Sequence, residues 1–255
     1  MERLKSINYD KATQHLKKYQ DNVLFALAVS THKCNGIIYT DSNERPQTFY
    51  IVSEYGMSWL CGKADNQNFN SQLSSYLKHN DEAKKQWIQA PNKDWWDLLT
   101  KFAKELDVCI DNRVNFYFDD DNFKSIDTDY EFQELTKHDF NSLNGLVTPN
   151  HFWNDYSLFQ KYSKGFKLII DQETVAIAFG AYTDEHHLEI GIETFQPYQK
   201  KGYAKLVASK LIEYCLENNL TPMWSCRLQN TGSFTLAQKV GFRLSAITPY
   251  YNFKK

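Results

Sequence analysis

The alternation of apolar and polar positions predicts short, mixed elements along the whole chain. Residues 8–20 read as a helix, with Ala12, Leu16 and Tyr19 on one face. Val23–Val29 is a continuous apolar run and Gly36–Tyr39 a shorter one; both read as strands. Thr48–Val52 and Met57–Cys61 flank Glu54-Tyr55-Gly56, a hairpin signal. Phe69, Leu73, Tyr76 and Leu77 recur at helical spacing. Pro91-Asn92 opens another helix, with Trp95, Leu98, Leu99, Phe102 and Leu106 on one stripe, and Val114–Phe118 is an apolar strand.

The pattern breaks at 119–129, where Asp119, Asp121 and Asp127 lie in a polar stretch. A calcium loop starting at Asp119 needs Gly at its sixth position and Glu at its twelfth, and those places hold Lys124 and Tyr130. A solvated inter-domain linker is the reading this composition supports. The expected domains are therefore 1–122 and 123–255.

Beyond the break, Lys167–Ile170 and Thr174–Gly180 flank a turn at Asp171-Gln172-Glu173. Leu188–Thr194 is a strand with Leu188, Ile190 and Ile192 on one face. Gly202–Asn218 is an amphipathic helix carrying Ala204, Val207, Leu211 and Cys215 on a stripe. Met223–Cys226 is a short strand. Asn230 or Thr231 caps a helix that Gly241 ends, and Phe242–Leu244 and Tyr250–Phe253 are the last strands. No clean repeat is visible, but both halves mix hairpins with helices, which a diverged duplication would produce.

Composition narrows the function. The 255 residues carry 29 basic and 31 acidic side chains, for a net charge of −2. Only 5 of the basic residues are Arg, and bidentate phosphate or base readout favours Arg. Nucleic acid is therefore not the expected partner. The Lys and Asn richness fits an AT-rich bacterial coding sequence. Met1–Asn22 is polar, and the run Val23–Val29 is far short of the ~20 residues that span a bilayer. No membrane partner is expected. Cys34, Cys61, Cys109, Cys215 and Cys226 are odd in number and irregularly spaced, with no C-x-x-C. That suits buried thiols in a reducing, cytoplasmic setting and no metal.

The chemistry concentrates where the strand Glu189–Thr194 gives way to the helix at Gly202. Unpaired N–H groups and the helix dipole make such a junction an anion site. Gly202 lets a phosphate approach the backbone, and Lys200, Lys201 and Lys205 add positive charge. A tight turn with exposed lysines is the alternative.

Gln199-Lys200-Lys201-Gly202-Tyr203-Ala204 resembles the Q/R-x-x-G-x-G/A motif of the GNAT superfamily of N-acetyltransferases. The preceding strand with Pro197-Tyr198 resembles the family's fourth strand and its exit. Asn230-Thr231-Gly232-Ser233 and Leu236-Ala237-Gln238-Lys239-Val240-Gly241-Phe242 resemble its N-x-x-A/S … K-x-G-F ending. The resemblance covers 165–255 strongly and 126–164 loosely. Tyr214-Cys215-Leu216-Glu217 and Pro222-Met223-Trp224-Ser225-Cys226 are similar to a bacterial subgroup with a longer N-terminal domain, which includes antibiotic-modifying members.

The resemblance implies an α/β fold with a mixed, splayed central sheet. Ahead of this C-terminal GNAT fold lies a smaller α/β domain of unassigned role, read as a diverged GNAT-like half. It also implies acetyl-CoA as co-substrate. Backbone at Ile192, Glu193 and Thr194 would pair with the pantetheine. Gln199, Lys200, Lys201, Gly202, Tyr203 and Ala204 would hold the pyrophosphate, and Asn230 and Ser233 would touch the pantetheine arm or the adenylate end. Around Met223–Cys226 the next strand would splay away and open a wedge for the thioester.

Transfer to an amine needs a base for its proton. Glu189 and Glu193 lie on one face of the strand, opposite Leu188, Ile190 and Ile192, and are the catalytic candidates. The alternative is a solvated strand face. His186 and His187 point to opposite faces, so they do not share a metal, and Cys226 reads as a structural thiol. Many family members carry a Tyr four residues before the Gly-Phe end, as acid for the leaving thiolate; here Ala237 stands there. Tyr198, Tyr203 and Ser233 are the substitutes. Aromatics of residues 1–118, among them Trp59, Trp87, Trp95 and Trp96, read as core. If that half descends from a duplication, its cofactor site is lost, and it caps the acceptor cleft or forms a homodimer surface. The leading function is direct transfer of an acetyl group to a small-molecule amine in a ternary complex; the alternative is a non-catalytic acyl-CoA-binding sensor or interaction protein.

Overall fold

The computed structural model describes residues 1–253 apart from 20, 21, 107, 109 and 127. Cys109 and Asp127 thus lie outside the described residues. The chain forms two compact units, Met1–Arg113 with Ile247–Lys255, and Val114–Ala246.

The first run of elements is β1 (Glu2–Arg3), α1 (Tyr9–Leu16), α2 (Leu24–Ser30), β2 (Gly36–Thr40), β3 (Thr48–Ser53), β4 (Met57–Gly62), α3 (Gln67–His79), β5 (Trp87–Gln89), α4 (Lys93–Glu105) and β6 (Ile110–Phe118). The second is β7 (Glu131–Glu134), α5 (Lys137–Ser142), α6 (Tyr156–Tyr162), β8 (Gly165–Ile170), β9 (Glu173–Thr183), β10 (His187–Thr194), α7 (Tyr203–Glu217), β11 (Thr221–Arg227), α8 (Thr231–Lys239) and β12 (Phe242–Asn252). Each run reads β-α-α-β-β-β-α-β-α-β. The same order of elements thus recurs in the two runs, the pattern that a diverged duplication would leave. β4 and β5 pair in parallel across α3, as β10 and β11 do across α7.

The closing strands are exchanged. β6 ends the first run but lies beside β11, and its Val114 and Phe116 belong to the second unit's core. β12 ends the second run, yet its Tyr251 and Asn252 pair with Ile88 and Trp87 of β5.

In the second unit, α7 lays Val207, Leu211 and Cys215 against Leu168, Val175, Ala176, Ala178 and Leu188. In the first, Phe69 and Leu73 of α3 and Trp95 and Leu99 of α4 pack on Tyr50, Leu60 and Ile88. The thiols of Cys34, Cys61, Cys215 and Cys226 are buried and unbridged. Among the described residues, no helix is long and apolar enough to cross a membrane.

Two expectations are corrected. Val23–Val29 is helical, not a strand: Leu24, Phe25, Ala26, Ala28 and Val29 of α2 are all buried. A short run buried on every side carries no period to separate helix from strand. The polar segment after residue 118 is not a linker at its start. Asp119 N–H donates to the Gly241 carbonyl at 3.0 Å, the Arg243 guanidinium donates to the Asp119 carboxylate at 3.2 Å, and Phe123 packs against the second core. The second unit accordingly begins at Val114, inside β6, ahead of the break in composition.

A partly buried ion pair ties α5 to β8. Lys167 Nζ lies 2.8 Å from Asp139 Oδ1, and Thr136 closes a capping box with Asp139. Burial raises the Asp139 carboxyl, but Lys167 and the Thr136 donors pull it down further, to below its usual value. Its stabilisation is therefore complete above the ordinary carboxylate value and is lost as pH falls through the lower folded value. Asp139→Ala is expected to cost about 1–3 kcal/mol, because it leaves the partly buried Lys167 ammonium and the Thr136 donors without their acceptor. Urea unfolding at a series of acidic to neutral pH values should show the gap between variant and parent narrowing only toward the acid end.

Candidate functional site

The site is built on the end of β10. Phe195 N–H donates to the Val175 carbonyl at 3.0 Å, continuing a register in which Thr194 faces Ala176, Glu193 faces Ile177 and Gly191 faces Phe179. In antiparallel pairing, alternate residues direct both backbone groups to the same neighbour. Gly191 and Glu193 thus bond toward β9, while Ile190, Ile192 and Thr194 turn their N–H and C=O groups the other way. On that other side β11 pairs with β10 only at His187↔Thr221, Leu188↔Pro222 and Glu189↔Met223. β10 continues to Thr194 and β11 to Arg227 without further pairing, so the sheet splays open.

Three features meet at the opening. The Thr194 carbonyl accepts the Gln199 carboxamide N–H at 3.0 Å. Thr194 Oγ1 is buried with no hydrogen-bond partner among the described residues. The N-terminus of α7 is capped by Gly202 at φ 89°, with no capping side chain, whereas an Asn caps α3, α4 and α8. A Cβ placed on Gly202 meets nothing within 4 Å. Lys200 is also left-handed, at φ 63°. The loop therefore turns back-to-front around open space, with the first N–H groups of α7 lacking intrahelical acceptors. Lys201 sits over the Tyr198 ring at 5.4 Å, and Tyr203 packs edge-on against Tyr130. Ala204 follows in the first turn of α7.

The expected residues do not all converge as anticipated. The Glu193 backbone faces β9, so backbone groups toward the gap come from Ile192 and Thr194. The Glu193 carboxylate instead accepts the Val147 N–H at 2.8 Å, and its Cγ lies 3.0 Å from where a Cβ on Gly145 would sit. Glu189 is only 5% exposed, at the last paired position before the strands part, and accepts the Ser225 hydroxyl at 2.5 Å. The two carboxylates share a face, as the strand period requires, while Ile190 and Ile192 pack toward α7. That face is not solvated at Glu189.

Asn230 uses its carboxamide oxygen to cap α8 through the Ser233 N–H at 3.1 Å, and the Ser233 hydroxyl accepts the Trp224 indole N–H at 3.1 Å. Tyr198 donates its hydroxyl to Glu173, and this carboxylate raises the phenol above its usual range. Ala237 is fully buried. His187 Nδ1 meets Asp184 at 3.0 Å, and Asp184 also accepts the His186 and His187 N–H groups. The histidine pair thus closes a hairpin. Among the described residues, no group of three or more His, Cys, Asp or Glu side chains is placed to hold a metal ion.

Ser225 and the 145–147 loop were missed by sequence reasoning. Ser225 was legible in one respect: it lies two residues beyond Met223, on the face that Glu189 shares.

The profile of the GNAT acetyltransferase family matches residues 14–251. A curated Bacillus subtilis (strain 168) protein, "Uncharacterized N-acetyltransferase YdfB", is 25% identical over 234 residues, covering 89% of this chain and 90% of its own. Among solved structures, a GCN5-related N-acetyltransferase-like protein from Streptococcus suis matches with a TM-score of 0.71 at 18% identity, covering 97% of this chain and 98% of its own. A tandem GNAT protein from the clavulanic acid biosynthesis pathway matches with a TM-score of 0.63 at 8% identity, covering 98% of this chain and 96% of its own. The splayed strands, the glycine-capped helix and the match over nearly the whole chain agree: the protein belongs to the GNAT acetyltransferase family.

Proposed function

We propose that the second half binds acetyl-CoA and that the chain transfers the acetyl group to an amine of a small molecule, directly and within a ternary complex. The observation that carries this reading is the parting of β10 and β11 beside the start of α7, where Gly202 offers no capping side chain. The residues fit the co-substrate. Ile192 and Thr194 present backbone groups to an arm of amides, and the Thr194 hydroxyl is a buried polar atom awaiting a partner. The Gly202 turn leaves room for the pyrophosphate, with Lys200 and Lys201 just before it in sequence and Lys205 just after. The thioester supplies an activated acyl carbon, whose C–S bond breaks as the C–N bond forms. A cytoplasmic setting and a homodimer are compatible with this reading.

In this reading Glu189 takes the proton from the attacking amine. It lies where the strands part, and Ser225 fixes one of its oxygens. Glu193 is anchored to the 145–147 loop and shapes the acceptor side. Ala237 supplies no acid, and a thiolate leaves without one when its thiol pKa is near the usual ~8.5.

Three outcomes test this reading. At 100 times its dissociation constant, acetyl-CoA should add about 2.7 kcal/mol. That raises the melting temperature by roughly 5–10 °C, read by differential scanning fluorimetry. No shift at millimolar acetyl-CoA or CoA would sink the claim.

Gly202→Ala and Gly202→Val should both lower the unliganded melting temperature by a few degrees, since a left-handed backbone costs a side chain about 1–2 kcal/mol. Val, which fills the open turn, should abolish the acetyl-CoA shift. A Gly202→Val protein that binds CoA normally would place the phosphates elsewhere.

Glu189→Gln should lower kcat/KM by ~10²–10⁴, the usual share of general-base catalysis, with CoA affinity nearly unchanged. Glu193→Gln, whose carboxylate meets Val147, should act mainly through the acceptor KM. Radiolabelled acetyl-CoA with an amine panel is the assay. Full activity in both variants would remove the strand carboxylates from the mechanism.

A further inference from the structure

The first half repeats the geometry of the splayed site and then closes it. β4 and β5 pair at Met57↔Trp87, Ser58↔Ile88 and Trp59↔Gln89, and β4 then runs on to Gly62 beside β3 but without β5. β10 and β11 likewise pair at three positions before parting. Counting outward from the last pair, Trp59 corresponds to Glu189 and Gly62 to Ile192. The backbone alternation agrees. Lys63 N–H bonds to the Gln47 carbonyl, so Gly62 turns its carbonyl away from β3, toward the gap.

The helix that follows each gap also corresponds. Asn92 caps α4 by accepting from Trp95 N–H at 3.3 Å, and Asn230 caps α8 by accepting from Ser233 N–H at 3.1 Å. Trp95 and Ser233 thus hold the same position, three residues after the capping Asn. Ser233 is small. Trp95 is not: its indole is fully buried and its Nε1–H donates to the Gly62 carbonyl at 3.3 Å. The turn before α3 differs too. It spans residues 63–66, and the Asn66 side chain occupies the helix N-terminus by accepting from Phe69 N–H. The corresponding stretch before α7 is the longer loop ending at Gly202.

We propose that Trp95 is a built-in occupant of the first half's cofactor cleft, standing where the pantetheine arm would lie, so that each chain takes a single acyl-CoA, in its second half. This rests on the reading that the second half binds CoA. The indole covers the gap and meets the strand carbonyl that an amide N–H of the cofactor would otherwise meet. Asn66 meets a helix N–H that a phosphate would otherwise meet.

The full chain should be titrated with CoA by calorimetry and native mass spectrometry. One CoA per chain is expected, falling to none in Gly202→Val. Two per chain, or one remaining in Gly202→Val, would overturn the proposal. No CoA bound by the parent protein would instead refute the reading of the second half. The indole itself gives a second, independent readout. Trp95→Phe removes one of the six Trp indole N–H signals from a nitrogen-correlated NMR spectrum and so assigns it. That signal should persist for hours after transfer to D₂O and should not move with CoA. Exchange within minutes, or a CoA-dependent shift matching that of a bound ligand, would show the cleft to be open.

Discussion

A parallel strand pair that stops after three residues leaves backbone donors and acceptors with no sheet to receive them. That constraint organises both halves of this protein. A buried backbone group without a partner costs ~1–3 kcal/mol, so each gap needs something polar within it. In the second half the groups at Ile192 and Thr194 face the gap, and the Gln199 carboxamide meets only one of them, the Thr194 carbonyl. In the first half a side chain does that work from within the chain, through Trp95 and Gly62. Two copies of one design thus differ in what fills the same break.

The break also sets the surroundings of the strand's carboxylates. Glu189 sits at the last paired position before the strands part and is buried there. A carboxylate one position along would point to the α7 side, and one four along, Glu193, is taken up by the 145–147 loop. Of the strand's acidic groups, only Glu189 combines burial with a hydroxyl donor from β11. The loop before α7 follows the same logic: a left-handed Gly202 lets the chain reverse without a side chain in the path of an anion.

Much of this was legible in the sequence. The hairpins at Glu54-Tyr55-Gly56 and Asp171-Gln172-Glu173, the helices capped by Asn92 and Asn230, and the strand–helix junction at Gly202 all carry local signals of period and turn chemistry. What the sequence hid was set by tertiary context. α2 has no amphipathic period because it is apolar and buried almost all round. β5 is three residues long and is defined by its partners in the sheet. The backbone direction of Glu193 depends on register with β9, and its carboxylate partner lies 46 positions back in sequence. The repeat is invisible residue by residue because corresponding positions, such as Trp95 and Ser233 three residues after their capping Asn, carry unrelated side chains.

The exchanged closing strands have a consequence for how the chain is made. The first unit lacks its last strand until Ile247–Asn252 has emerged, more than a hundred residues after the rest of that unit. The second unit, running from Val114 to Ala246, is contiguous and can finish first. Synthesis from the N-terminus usually lets the leading domain fold first. Here the first unit's last strand is made after the whole of the second unit, and until then β5 lacks its β12 neighbour, an open edge of the kind that invites wrong pairing. A cut at the midpoint would leave each product holding the other's final strand, so neither half is a natural fragment.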